Sequence, residues 1–489
     1  MSMFTRCISH YCSCRWRLCY MCFTALLLLQ ALRIDLSMAF VCMLKTPNRT
    51  TDGANFTREN EQCHRLQNHS LNNNFEGEFE WSNVLQSNML SGYYYGYIAS
   101  TMFGGVFADK YGGKTVLGGT LLSSAIFAIL HPSLTRISAY FTVALRILTG
   151  LVSGPMFPSV LSLWGRWAPP LESSILLGVT FCGQMLGSIL GLLISGYLCA
   201  YGFDNGWGSI FYVFGGATLL FSLVWFYVVH DNPDTHPTIS QRERSYLKRN
   251  ITSTKKVKSI PWKQIMLSSA VWALIIAHTC LNWTDISFQL LLPLYMKEAL
   301  NIDTKSNGLM SSAPSIGQII CLPLIGRFAD WFISKNYMSK RSFRVLIQSL
   351  CFICLASLLI AIGFLECSQT TLTGALFLLS GASISLHMSG FNVNHIDVAP
   401  RYAGVLFGIS NTFASLPGLF APLVARAIAP NGTQREWQHV LFMCAAFSVL
   451  GAILYAILAK GDVQAWAISK EDSAEDGCQE EPMNLENKG

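Results

Sequence analysis

The sequence predicts an all-α integral membrane protein with twelve transmembrane helices arranged as two halves of six. Hydrophobic residues make up 51% of the 489 residues and charged residues only 13%, a balance that excludes an ordinary soluble domain. Apolar runs long enough to cross a bilayer recur twelve times along the chain. They lie at about 18–44, 84–107, 115–131, 138–163, 174–200, 208–229, 267–295, 308–329, 344–364, 370–391, 402–425 and 438–459.

The first apolar run carries two charged residues, Arg33 and Asp35. The run is too long for a signal peptide and lacks a small-residue cleavage site, so we expect a retained helix. A charge at mid-bilayer costs about 2.5–3.5 kcal/mol on insertion scales and is usually kept for function. The alternative is that one of the two snorkels to a headgroup. Because residues two apart point away from each other, Asp35 is expected to face a neighbour other than Arg33.

Lysine and arginine concentrate in alternate loops, most densely at 242–263, which predicts that both termini are cytoplasmic. The predicted organisation is a cytoplasmic N-terminus at 1–17, a first half at 18–230, a cytoplasmic central loop at 231–266, a second half at 267–459 and an acidic cytoplasmic tail at 460–489. The polar loop at 45–83 contains three glycosylation sequons, headed by Asn48, Asn55 and Asn68, on the predicted non-cytoplasmic side.

Most of the sixteen cysteines fall in predicted helices or in the cytoplasmic N-terminus, where thiols stay reduced. Only Cys63 and Cys367 are expected on or near the oxidising side. A bridge between these two is therefore one hypothesis, and two free thiols are the other.

A repeated Gly-x-x-x-Asp motif follows the second and eighth runs, in "GGVFADKYGGK" at 104–114 and "GRFADWFISKN" at 326–336. The first copy resembles the signature loop of the major facilitator superfamily. The resemblance implies that Gly105 lets two helices approach and that Asp109 and Lys114 act at the gate between the halves. Asp330 holds the aspartate position of the second copy.

Longer strings, among them "SGFNVNHIDVAPRYAGVLFGISNT" at 389–412 and "REWQHVLF" at 435–442, resemble the anion transporter family that includes sialin, the vesicular glutamate transporters and the sodium-phosphate cotransporters. The similarity covers about 32–466, and several strings look most like sialin. It implies a secondary transporter of a small organic anion, such as sialic acid or an acidic amino acid, working by alternating access with a co-transported proton or sodium ion. It also implies a lysosomal, synaptic-vesicle or plasma membrane.

An anion that crosses a bilayer needs fixed positive charge near the midplane. Arg33 and Arg146 lie in predicted helices one and four, and the resemblance implies that both match membrane arginines of the family. A snorkelling or structural role is the alternative for Arg146. Tyr93 and Tyr97 share one helical face and are predicted either to line the cavity or to pack in the interior.

The sequence departs from the family at several of these positions. Similar proteins carry glutamates three and seven residues after the helix-four arginine, where this chain has Thr149 and Ser153. Leu281 replaces an arginine found in glutamate transporters, which favours a monoacid over a dicarboxylate. Asp35 and Asp285 are carboxylates gained where similar proteins have asparagine and an aromatic residue. We therefore expect ion coupling at Asp35, with Asp285 as the competing candidate.

Two residues of the NHIDVAP string, His395 and Asp397, are interpreted as a structural lock. The sequence contains no nucleotide-binding, metal-ligand or nucleophile motif, so we expect no enzyme activity, no cofactor, no metal site and no nucleic-acid partner. Two alternatives remain: a sodium-dependent inorganic phosphate cotransporter, and a non-transporting sensor that keeps the transporter fold. The loss of both helix-four carboxylates supports the second.

Overall fold

A computed structural model describes the protein over residues 13–45, 77–169, 172–250, 260–335, 337–366 and 368–467, and these residues are almost entirely helical. For residues 102, 109, 174 and 330 it describes the backbone but not the side chain. The predicted sequon residues Asn48, Asn55 and Asn68 lie outside the described residues, as do Cys63 and Cys367. The prediction of an all-α membrane protein is confirmed.

Twelve long helices run through the described residues, and ten of them are long and apolar enough to cross a membrane. They are α1 Cys14–Met43, α2 Asn83–Tyr111, α3 Gly113–Ile137, α4 Ala139–Trp167, α5 Ser173–Tyr201, α6 Trp207–Val228, α7 Ser269–Glu298, α8 Thr304–Ser334, α9 Lys340–Gly363, α10 Thr370–Val398, α11 Pro400–Ile428 and α12 Gln434–Leu458. Helices α2 and α7 are the two that fall short. They are as long as the others, at 29 and 30 residues, but carry more polar side chains, which face the interior described below.

Helix α1 begins at Cys14, four residues before the predicted start of the first span. The first backbone N–H groups of a helix lack partners within it. Here the carboxylate of Glu243, from the short helix Gln241–Asn250, accepts the N–H groups of Cys14 and Arg15. The Arg15 side chain also bonds Glu243 and Glu172, at 3.1 and 2.7 Å. The segment that joins the halves is therefore fixed to the start of α1.

Three of the spans, α4, α10 and α11, are broken near their middles. Helix α11 divides into Ala403–Ala414 and Leu416–Ile428 at Ser415. Helix α4 divides into Ala139–Ser153 and Met156–Trp167 at Gly154 and Pro155, because proline lacks the N–H that would continue the hydrogen-bond ladder. Helix α10 passes through a tighter turn at Ser385–Met388. That turn places His387 beside the central cavity.

Six helices precede the joining segment and six follow it, so we refer to a first half, α1–α6, and a second half, α7–α12. We call the side where α1 begins and α12 ends the terminal side, and the opposite side the distal side. Hydrogen bonds between the halves concentrate near the distal side. Arg426 donates to Gln86 Oε1 at 2.9 Å, Ser87 to the carbonyl of Pro422 at 3.0 Å, and Lys297 to that of Val41 at 2.5 Å.

The space around several glycines differs between the distal and terminal sides of the protein. On the distal side, a Cβ added to Gly196 of α5 would lie 2.9 Å from the Cα of Gly308 on α8. Toward the terminal side, a Cβ added at Gly105, Gly326 or Gly404 would meet no atom within 4 Å. These glycines lie on α2, α8 and α11. The described contacts between the halves are thus closest on the distal side.

One disulfide, Cys42–Cys199, joins the distal ends of α1 and α5, with a Cα–Cα distance of 6.0 Å. The prediction that only Cys63 and Cys367 lie at the oxidising side is therefore wrong. Both bridged cysteines were counted as interior helix residues, but each lies in the last turn or so of its helix. A disulfide on this side agrees with the predicted non-cytoplasmic position of the loop at 45–83.

Candidate functional site

A cavity of about 150 Å³ lies between the two halves at the middle of the helices. The first half contributes Gln30 of α1 and Gln184, Met185 and Ser188 of α5. The second half contributes residues of α7, α8 and α10, among them Asp285, Gln318 and His387. A cavity at mid-depth that both halves line is the arrangement expected of a transport site.

Asp285 is the carboxylate of this cavity and is held by two amide side chains. Gln289, one turn along α7, donates from Nε2 to Asp285 Oδ2 at 2.7 Å. Gln318 of α8 donates from Nε2 to Asp285 Oδ1 at 2.9 Å. Asp285 and both glutamines are half-buried. The carboxylate is therefore stabilised by neutral N–H donors and remains accessible from the cavity.

Gln30 connects this group to the first half. Its Nε2 donates to Gln289 Oε1 at 3.2 Å and to Ser188 Oγ at 2.9 Å. Gln184 in turn donates to Gln30 Oε1 at 3.5 Å. Gln30 is only 3% exposed, so its amide has little access to water and depends on these partners.

Two histidines share one serine at the edge of the cavity. His395 Nδ1 lies 3.0 Å from the carbonyl of Asn392, which can only accept, so Nδ1 carries the proton. The single Ser410 hydroxyl proton is given to His395 Nε2 at 3.0 Å or to the carbonyl of Phe407 at 3.1 Å. Ser410 is left to accept from His278 Nδ1 at 3.2 Å. His278 therefore keeps an unprotonated Nε2 as its remaining polar atom, a hydrogen-bond acceptor on a residue that lines the cavity.

The interpretation of His395 and Asp397 as one lock needs correction, because the two residues have different partners. Asp397 accepts from Arg344 Nε at 2.8 Å, and Arg344 also donates to the carbonyl of Ser389. His395 belongs to the chain through Ser410. A structural role fits Asp397, whereas His395 is connected to the cavity.

Arg33 lies one turn from Gln30 on the same face of α1. Its guanidinium donates to the hydroxyl of Tyr94 at 2.6 Å and lies 5.4 and 5.1 Å from the ring centroids of Tyr93 and Tyr94. Its Nε is buried without a hydrogen-bond partner among the described residues. Because a guanidinium has five N–H donors, Arg33 keeps donors for a further ligand.

Arg146 and Asp35 form an ion pair at 3.1 Å between α4 and α1, with 3% and 2% of the side chains exposed. Arg146 also donates to the carbonyls of Leu32 and Arg33, at 3.2 and 2.6 Å. The prediction that Asp35 faces a neighbour other than Arg33 is confirmed. The Arg146 contacts brace α1 against α4 and hold the backbone that carries Arg33.

The face of α4 that follows Arg146 is polar but uncharged. The hydroxyls of Thr149 and Ser153 donate to carbonyls of their own helix, at 2.8 and 2.7 Å. Neither hydroxyl can carry the negative charge with which a carboxylate would balance Arg146. The carboxylate that faces Arg146 is that of Asp35 from α1.

Tyr93 and Tyr97 stack on one face of α2, with ring centroids 5.7 Å apart and planes inclined by 20°. They are 3% and 4% exposed. The Tyr97 hydroxyl accepts from Asn411 of α11 at 3.4 Å, a contact between the halves. The residue that bonds Arg33 is Tyr94, which was not among the predicted site residues.

Comparison with known proteins supports the family assignment made from the signature motifs. The model of the Major Facilitator Superfamily matches residues 68–422. The chain belongs to the major facilitator superfamily. It is 36% identical to sialin of Homo sapiens, over 94% of this chain and 92% of that protein. It is 33% identical to vesicular glutamate transporter 2 of Homo sapiens, over 82% and 69%, and 33% identical to a putative inorganic phosphate cotransporter of Drosophila melanogaster, over 95% and 88%.

Solved structures of the superfamily share the fold. A D-xylose-proton symporter superposes with a TM-score of 0.64 at 13% identity, covering 91% of this chain and 98% of its own. A bacterial homologue of the lysosomal transporter Spinster, in an inward-facing conformation, gives 0.62 at 10% identity, covering 89% and 96%. This chain is a multi-pass membrane transporter close to the sialin, vesicular glutamate transporter and phosphate cotransporter group.

The signature loop of the superfamily, residues 104–114, joins the end of α2 to the start of α3. Gly105 faces open space, and it is Gly104 that packs on α4, where an added Cβ would lie 2.8 Å from the Cα of Pro155. The backbone N–H of Lys114 donates to Asp231 at 2.9 Å. The side chains of Asp109 and Asp330 lie outside the described part of the structure, so their gate role remains a prediction.

Proposed function

We propose that this protein is a secondary active transporter that moves small organic anions, of the acidic-sugar or acidic amino acid class, together with protons by alternating access. The central cavity carries the proposal. It is lined by both halves at mid-depth, and Gln30 of its lining lies one turn of α1 from Arg33, a cation with unused donors. The described hydrogen bonds between the halves lie toward the distal side, which favours a path to solvent on the terminal side.

Arg33 is the residue that we expect to bind the carboxylate of the substrate. Charge-assisted hydrogen bonds from a guanidinium are short and about twice as strong as neutral ones. The amides of Gln30 and Gln184 and the Nε2 of His278 are placed to bind hydroxyl or amide groups of the same ligand. The Tyr93 ring lies against the Arg33 guanidinium and Tyr97 stacks on Tyr93, whereas Arg146 holds α1 in place.

Asp285 is the site that we propose for proton coupling. An ionised Asp285 repels an anion in the same cavity, and a proton on its carboxylate removes that repulsion. Loading of proton and anion would then be mutually favourable. Asp35 is less suited to the role, because it is 2% exposed and already neutralised by Arg146.

A proton explains the surroundings of Asp285 better than sodium does. Hard cations such as sodium take oxygen ligands, but both carboxylate oxygens of Asp285 face amide N–H groups. The lining also favours a monoacid. Leu281 faces the cavity where a second cation would serve a dicarboxylate, and no lysine or arginine occurs among the lining residues that the structure describes.

The test is uptake by purified protein in proteoliposomes under separately imposed pH, sodium and voltage gradients. The panel contains N-acetylneuraminate, glucuronate, glutamate and inorganic phosphate. We expect saturable uptake of a monoacid driven by a pH gradient, with KM raised about tenfold to a hundredfold in Arg33→Leu and unchanged in the control Arg435→Leu, which removes an exposed arginine of α12. Sodium-driven phosphate uptake would support the phosphate cotransporter, and absence of any anion flux would support the sensor.

A further inference from the structure

Three glutamines form a directional chain of hydrogen bonds that begins in the first half and ends on Asp285 in the second. Gln184 donates to Gln30 at 3.5 Å, Gln30 to Gln289 at 3.2 Å, and Gln289 to Asp285 at 2.7 Å. Each amide gives its N–H toward the carboxylate and its oxygen away from it. The step from Gln30 to Gln289 crosses from α1 to α7.

The charge of Asp285 fixes this direction. An ionised carboxylate only accepts hydrogen bonds, so Gln289 and Gln318 must both present nitrogen to it. The oxygen of Gln289 is then free to accept from Gln30, and the oxygen of Gln30 to accept from Gln184. The Gln30–Gln289 contact between the halves therefore depends on whether Asp285, the next residue in the hydrogen-bonded chain, is ionised.

Protonation of Asp285 weakens the chain whichever oxygen receives the proton. A proton on Oδ2 makes that oxygen a donor, and the Gln289 amide must turn its oxygen toward it. The Gln289 nitrogen then faces the Gln30 nitrogen, donor against donor. Turning the Gln30 amide as well would restore a bond between the halves, but it would break the bond from Gln30 to Ser188, whose own proton is given to the carbonyl of Gln184, so the contact between the halves is weakened. A proton on Oδ1 leaves the amide in place but removes the charge that strengthens its bond to Asp285.

We propose that Asp285 and the Gln30–Gln289 contact form a latch between the halves, which is held while Asp285 is ionised and released when it takes a proton. Gln30 and Gln289 are then positioning residues that transmit the charge of Asp285 to the first half. The inference deepens the proposed function, since it names how a proton at Asp285 would permit the halves to rock.

Several other ionisable groups face Asp285. His278 of α7 and His387 of α10 line the same cavity, and His387 and Tyr94 of α2 lie within electrostatic range of Asp285. Arg33 of α1 contacts Tyr94 and stays charged. The residues that α5 and α8 contribute to the lining are uncharged. Because histidine is the side chain whose charge ordinarily changes between pH 5 and 8, the experiment needs a variant that removes the Asp285 charge alone.

The test measures the distance between the halves on the terminal side as a function of pH, without substrate. Fluorophores are introduced through unnatural amino acids at Tyr111 of α2 and Tyr337 after α8, which are 55% and 62% exposed. The full chain is studied in nanodiscs. In otherwise unchanged protein, lowering the pH should change the ratio of open to closed molecules about threefold to tenfold, the effect of one hydrogen bond.

Four variants separate the latch from other sources of pH dependence. Asp285→Asn should abolish the pH-dependent change. Gln289→Leu and Gln30→Leu should each reduce it to less than about twofold, although Asp285 is intact. Gln318→Leu is the matched control, because Gln318 bonds the same carboxylate without leading to the first half. Gln318→Leu should keep the full pH-dependent change in the ratio of open to closed molecules, but the pH at the midpoint of that change should move.

The outcomes are distinct from those of the uptake experiment. Full amplitude in Gln289→Leu or Gln30→Leu overturns the latch, and so does loss of amplitude in Gln318→Leu equal to that in Gln289→Leu. A change that persists in Asp285→Asn assigns it to the histidines and also overturns the proposal. The distance is measured without substrate, so the pH-dependent change is expected even if the protein transports no organic anion. The latch can therefore be tested even if the proposed function fails.

Discussion

Two aspartates lie near the middle of this protein, one in each half, and their surroundings differ. Asp35 of α1 pairs with Arg146 and is 2% exposed. Asp285 of α7 is half-buried, faces the cavity and is bonded by the amides of Gln289 and Gln318. The first aspartate thus faces a full opposing charge, whereas the two donors that face the second are neutral amides.

The two aspartates look similar in the sequence, but their different partners in the structure point to different roles. Both are carboxylates gained within apolar helices. A buried aspartate that meets an arginine holds two helices together, and an aspartate that meets amides beside a cavity can change its charge during transport. We therefore assign a structural role to Asp35 and ion coupling to Asp285.

The largest effect is expected from breaking the ion pair. Asp35→Asn leaves Arg146, which cannot lose its proton, buried without its counter-charge, and should destabilise the protein by about 3–5 kcal/mol. Thermal unfolding of the purified protein measures this. The double variant Asp35→Asn/Arg146→Met should recover most of the loss, and equal instability of the single and double variants would contradict the assignment.

A smaller but substantial effect is expected at Arg33. Arg33→Leu removes the cation that we propose to bind the substrate carboxylate, and the KM for anion uptake should rise about tenfold to a hundredfold. Tyr94→Phe removes only the hydroxyl partner of Arg33 and should raise KM much less. Uptake kinetics in proteoliposomes measure both variants, and an unchanged KM in Arg33→Leu would remove Arg33 from the binding site.

Substrate preference can be altered at Leu281. Leu281→Arg adds a positive charge on the second half of the cavity, and should raise uptake of glutamate relative to a monoacid by about tenfold. Leu281→Met keeps the position apolar and serves as the control. Equal use of glutamate and monoacids by the unchanged protein would refute the argument from Leu281.

The smallest effect concerns the chain from His278 to His395. Ser410→Ala removes the hydroxyl that fixes both tautomers, and should lower substrate affinity about threefold to tenfold, the effect of one neutral hydrogen bond. Ser410→Thr keeps the hydroxyl and should retain affinity. A normal affinity in Ser410→Ala would show that the acceptor on His278 plays no part in binding.

The fold could be predicted almost completely from the sequence, because twelve apolar runs, their charge asymmetry and the Gly-x-x-x-Asp repeat all point to one architecture. The site could be predicted only in part. Arg33 and Asp285 stand out as charges in apolar helices. The glutamines around Asp285 do not, because neutral polar residues occur in many spans and their roles depend on which helices meet. The one available signal was the spacing of four residues between Asp285 and Gln289, which places both on one helix face.

Other errors have physical causes as well. Cys42 and Cys199 were assigned to helix interiors, since hydropathy does not show where a helix leaves the membrane. Tyr94 lies on a different face of α2 from Tyr93 and Tyr97, so the helical spacing that groups those two residues does not include it. Its contact with Arg33 depends on the packing of α1 against α2, which no local pattern encodes.

The most direct test of this account compares Asp285→Asn with Asp35→Asn in proteoliposomes, with transport expressed per folded molecule. Accumulation of the anion under an inward acid gradient is measured beside exchange of labelled for unlabelled anion at equal pH. The account predicts that Asp285→Asn loses accumulation but keeps exchange, and that Asp35→Asn keeps both. Gradient-driven accumulation that survives in Asp285→Asn and disappears in Asp35→Asn would contradict it.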